Sequence, residues 1–167
     1  MIELEGSKPN FRGFPIFKVG EPERPNDGYS IQAFGFCIGT ANGDGALFDI
    51  KPGESSQVIT VIKEHKAWDT LESGWGWVVI HRKEEDRVEV VKTTDLEEGS
   101  VAGFKTGDSM TIIAGPRGLK IVEVCTPPFE PSTDNTQGTE IIVDIDSKSL
   151  PDEFWAAFHR LKATKTE

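Results

Sequence analysis

The stretch TGDSMTIIAGPRGLKIVEVCTPPFEP, from Thr106 to Pro131, decides how this chain folds. Gly107-Asp108 opens it as a turn, and the run 110–116 is short, apolar and rich in β-branched residues. A corner follows at Gly115-Pro116-Arg117-Gly118, where glycine accepts backbone angles that other residues resist. A second strand, 119–128, then leaves through the stiff pair Pro127-Pro128. Strand, tight corner and strand, with no helical period between them, mark an all-β chain that turns back on itself.

The same texture extends upstream. YSIQAFGFCIG (29–39) is β-rich, ANGDG (41–45) carries a hairpin signal, and 46–53 alternates until Pro52-Gly53 turns the chain. Further runs occupy 56–65, 74–82, 86–95 and 99–108. Short β-branched or aromatic segments parted by Gly, Pro and charged turns, with no alternating helices, predict an antiparallel sandwich or barrel. Before residue 29, Pro and Gly scattered among Phe11, Phe14, Ile16 and Phe17 read as an irregular arm restricted to edge strands. After the polar stretch 132–138, EIIVDI offers one more strand. The tail SLPDEFWAAFHRLK then changes period. Ser149 as N-cap, Pro151 in the first turn and Phe154, Trp155, Phe158 and Leu161 at helical spacing predict a C-terminal amphipathic helix that docks on the barrel or on a second copy. The expected organisation is an arm (1–28), a β-barrel (29–148) and a helix with its tail (149–167), one structural domain in all.

The 167 residues carry 28 acidic and 18 basic side chains, a formal charge of −10. A surface so acidic repels phosphate backbones, and no basic cluster interleaves with aromatics, which argues against nucleic-acid partners. No basic–apolar leader opens the chain and no run approaches eighteen apolar residues, so neither a signal peptide nor a membrane span is expected. Cys37 and Cys125 lie in apolar runs without metal spacing, and buried thiols in a reducing cytoplasm are favoured over a disulfide.

In its order of features the chain resembles the cupin superfamily of double-stranded β-helix, or jelly-roll, barrels. KPGESS (51–56) resembles the turn before the first cupin motif, and LESGWGWVVI (71–80) the glycine turn and strand that close it. LEEGSVAGFKTGD (96–108) is similar to the turn introducing the second motif, GDSMTIIAGPRG (107–118) to that motif, and EVCTPPFEP (123–131) to its closing strand. The likeness covers roughly residues 29–131. It implies a metal held by two histidines and a carboxylate in the first motif and a histidine in the second. Counted back from Gly74, the histidine positions hold Thr60 and Ile62, or Val61 and Lys63. Ala67 stands at the carboxylate position and Gly118, beside Arg117, at the last histidine. His65, His81 and His159 are scattered. A divergent, metal-free cupin with no cofactor is the expectation.

VIKEHKAWD (61–69) concentrates acid–base groups where a cupin site lies. Lys63, Glu64 and His65 are the candidate catalytic residues, able to move a proton in an isomerisation, cyclisation or elimination. A solvated, charge-rich strand end is the more common fate of such a run. Trp75 and Trp77 share one face of a strand, either as a platform lining a cavity or as cover for the core. Arg117 is suited to a carboxylate or phosphate, or to a surface turn. With Thr60 and Ile62, these three are the candidate ligand contacts.

Three readings follow. A metal-free barrel binds a small organic ligand; the same barrel is a metal-independent isomerase, cyclase or lyase; or a filled barrel serves assembly. The aromatic arm and helix point to a homodimer.

Overall fold

The computed structural model describes residues 10–11, 14–17, 21–38, 41–61, 65–95, 100–126, 141–143 and 150–163. Among them the backbone forms eleven strands, a 3-10 turn and one helix. The strands are β1 (Asn10–Phe11), β2 (Phe14–Phe17), β3 (Glu23–Asn26), β4 (Tyr29–Ile38), β5 (Ala41–Ile50), β6 (Ile59–Val61), β7 (His65–Arg82), β8 (Arg87–Lys92), β9 (Ser100–Phe104), β10 (Ser109–Thr126) and β11 (Ile141–Val143). The 3-10 turn is Thr93–Asp95, and α1 spans Asp152–Lys162. Every pairing is antiparallel.

The corner at 115–118 does not end a strand. β7 and β10 are each 18 residues long and pair with one another along both halves. Their register breaks between Ala114 and Leu119, opposite the Gly74–Gly76 segment. There the backbones approach so closely that an added Cβ on Gly74 would stand 2.1 Å from the Gly118 carbonyl oxygen, and one on Gly76 2.0 Å from that of Ile113. Gly74 and Gly118 also take φ of +69° and +78°, the left-handed region that glycine enters freely. The glycines that read as turn punctuation in the sequence are therefore what lets two long strands bend together. Each strand passes from one half of the sheet to the other.

One half contains β4, β5, the second half of β10, the first half of β7, and β9. The other contains β6 and β11 with the first half of β10, the second half of β7, and β8. Between them lies an interior cluster drawn from both halves, including Tyr29, Phe48, Ile50, Val61, Val78, Ile80, Phe104, Ile112, Leu119 and Ile121. Alternation along β7 and β10 assigns the opposite face. Val79 and Ile113 pack there with Leu150, Phe154, Ala157 and Leu161, so α1 covers the outside of this half. Burial on both faces explains the nearly unbroken apolar runs WVVI and MTII, where a one-sided sheet would alternate.

Other expectations shift in detail. ANGDG is not the hairpin turn: β4 and β5 pair outward from Ile38 and Ala41, so 41–45 lies inside β5. The arm is more regular than expected, since β2 pairs with β4 through Ile16 and Phe36 and β1 adds outside it. α1 is preceded by Pro151 at the N-cap position; Ser149 lies outside the described residues. In register, Cys37 stands opposite Asn42 of β5 and Cys125 opposite Asp44. Two inter-strand spacings and two residues then separate the cysteines, roughly 12 Å from sheet dimensions. A disulfide requires Cα atoms within about 7 Å, so the two cysteines do not form one.

Candidate functional site

Register aligns the residues into rows where β4, β5, β10 and β7 run side by side. Nearest the bend, one row holds Tyr29, Ile50 and Leu119, and the next Ile31, Phe48 and Ile121. All six belong to the interior cluster or pack against it. The third row changes character, with Ala33, Ala46, Glu123 and Asp69. The fourth holds Gly35, Asp44, Cys125 and Ala67. Two positions further along β7, His65 stands opposite Phe104 of β9. Along β4, β5 and β10 the bulky apolar residues near the bend thus give way to Ala33, Ala46 and Glu123.

Glu123 is the described side chain at this transition. It is 6% exposed, and its row partner Ala46 is 8% exposed. Ala33, at the β4 end of the same row, is open to solvent. A carboxylate removed from water is costly to keep ionised unless nearby groups compensate it, so a buried glutamate on a barrel's inner face is a chemical feature and a poor core filler. Sequence reasoning passed over Glu123. The signal was parity, since 119, 121 and 123 alternate to the same face as two interior residues.

The candidates read from the sequence are dispersed. Thr60, half-buried in β6, shares a 2.8 Å hydroxyl–hydroxyl hydrogen bond with Ser109 and stands opposite it in register. Ile62, Lys63 and Glu64 lie outside the described residues. His65 opens β7 at the position given above. Trp75 and Trp77 share a face, as expected, with ring centroids 4.9 Å apart and planes at 72°. That face is the outer one: Trp77 packs with the cluster beneath α1, while Val78 and Ile80 belong to the interior. The Lys92 ammonium sits 4.6 Å above the Trp75 ring. Arg117 is exposed at the bend.

Among the described positions that the cupin likeness assigns to a metal, none carries a histidine or a carboxylate. Val61 and Gly118 offer no side-chain donor, nor does Ala67, and Thr60 is engaged with Ser109. At Gly118 any side chain would meet the φ of +78° and an Ile50 carbonyl oxygen 3.1 Å from its Cβ. His81 instead pairs with Asp86, Nε2 to Oδ1 at 3.0 Å, and His159 is exposed on α1 beside Phe158. Among the described residues, no three His, Cys, Asp or Glu side chains gather as a metal site.

A second polar feature lies at the turn ends, a cleft of about 240 Å³ lined by residues that include Arg82, Glu84, Arg87, Lys105 and Asp108. Its centre is Asp108, 3% exposed. This carboxylate accepts from Arg82 Nη1 at 3.1 Å, the Lys83 backbone N–H at 3.2 Å and the Lys105 backbone N–H at 3.0 Å. The Gly-Asp turn of the opening stretch is thereby tied to the β7–β8 hairpin. Hydrogen bonding to Glu85 leads the interactions that raise the Arg87 guanidinium above its ordinary pKa. These ionic groups satisfy one another and act as a staple.

No protein-family model and no curated protein sequence matches the chain. Solved structures do. A cupin-2 domain from Rhodospirillum rubrum superposes with a TM-score of 0.53 at 13% identity, covering 96% of this chain and 95% of that one. A mutant of the Bacillus subtilis oxalate decarboxylase gives 0.55 at 18% identity, over 89% of this chain and 37% of that one. A Lactobacillus farciminis oxalate decarboxylase in complex with formate gives 0.54 at 15% identity, over 91% and 43%. The chain therefore spans well under half the length of the decarboxylases it resembles. At such identities the likeness establishes the fold.

Proposed function

We propose, for a chain with the cupin fold, that the interior of its barrel binds a small organic ligand carrying a positive charge. The observation that carries this reading is the change along the interior rows, from Phe48 and Ile121 to Ala46 and the buried Glu123. Ala33 and Ala46, on neighbouring strands, occupy less volume than the aromatic and branched residues nearer the bend. A carboxylate as buried as that of Glu123 favours a cation over an anion in a low-dielectric surrounding. A protonated amine or amidine matches that preference. An oxalate dianion, the substrate named for two of the structural neighbours, does not.

Thermal unfolding of the full chain in the presence of matched probes tests this. With 1,4-diaminobutane at a hundred times its dissociation constant the stabilisation is about 2.7 kcal/mol, a rise of roughly 5–10 °C for a domain of this size. Succinate, of similar length and opposite charge, is expected to leave the transition in place, and Glu123→Gln to abolish the diamine shift at about 0.15 M salt while still folding. If neither these probes nor a panel of neutral sugars and amino acids moves the transition, interior binding is wrong. If succinate alone does, binding stands and the charge assignment falls.

A second reading makes the same site an isomerase, cyclase or lyase that needs no metal. It is favoured by the position of His65, four residues from Asp69 on β7 and therefore of the same parity as the interior row that holds Glu123. His65, with Lys63 and Glu64, would act as acid and base, and a proton shuttled in that way exchanges with solvent. Incorporation of deuterium from D₂O into the bound ligand, lost in His65→Ala, identifies the enzyme; binding without incorporation identifies the binding protein.

A further inference from the structure

We draw no further inference here: the strongest candidate, the acidic register rows of Asp44, Asp69 and Glu123 at the small-residue end of the barrel interior, belongs to the site already described.

Discussion

Single residues decide where this barrel bends and what its interior offers. Gly118 stands where the cupin likeness puts a histidine, and its backbone explains why none is there: the position belongs to the bend, at a φ of +78°. Gly118→Ala is expected to cost about 1–2 kcal/mol, the usual penalty for a left-handed non-glycine residue. Gly74→Ala combines that penalty with a Cβ placed 2.1 Å from a backbone oxygen, which only movement of both long strands relieves. Denaturant midpoints should therefore fall much further for Gly74→Ala; equal losses would mean that the close approach is not a constraint. Asp108 offers a second comparison. Asp108→Ala strips a buried carboxylate from Arg82 and two backbone donors and is expected to cost about 3–5 kcal/mol. Lys105→Ala removes an exposed pair with Glu84 and should cost far less, on the order of 0.5 kcal/mol. Glu123 shows what was legible at this scale. Its parity with Leu119 and Ile121 was present in the sequence, but parity gains meaning only once one face is known to be interior, and that depends on partners far along the chain.

Elements were easier to find than to delimit. β-branched runs and Gly/Pro punctuation correctly announced antiparallel strands, and the aromatic spacing of the tail announced α1. β10 was read as two segments, and of β7 only 74–82 was read as a strand, because a bend at glycine looks locally like a turn. Only pairing through Ala114, Leu119 and the Gly74–Gly76 segment distinguishes the two cases. The doubly buried middle of β7 hid its assignment for a related reason: without alternation, WVVI does not say which residues face inward. Trp75 and Trp77 were thus placed together correctly while their face stayed open, and it proved to be the one under α1. The helix should carry much of this half's stability. Phe154 has no exposed surface and packs on Val79 and Ile113, so Phe154→Ala should cost about 3–5 kcal/mol, read from chemical denaturation. Trp155, half-buried on the same helix, should cost clearly less; the reverse order would mean that α1 docks through its other flank. The strand register also yields a chemical expectation. Two thiols should titrate per chain in denaturant without reductant, since Cys37 and Cys125 stand roughly 12 Å apart by sheet spacings.

At the scale of the molecule, the charge of −10 and the buried Glu123 act in the same direction on a cation, and salt separates them. The field of surface carboxylates reaches a cation approaching through water, and it is screened as the Debye length falls from about 30 Å at 0.01 M to about 8 Å at 0.15 M. A charge pair inside the barrel is screened far less. The affinity for 1,4-diaminobutane is therefore expected to weaken several-fold over that range and then level off, leaving the part supplied by Glu123 and its row. In Glu123→Gln the surface field is almost unchanged, so weak binding at low salt should persist and should vanish at 0.15 M. Titration calorimetry at the two ionic strengths reads both components. An affinity that salt removes entirely in the unaltered protein would assign the cation to the surface, and the barrel interior would lose its claim as the site. An affinity indifferent to salt and to Glu123→Gln would mean that neither the surface nor this carboxylate holds it.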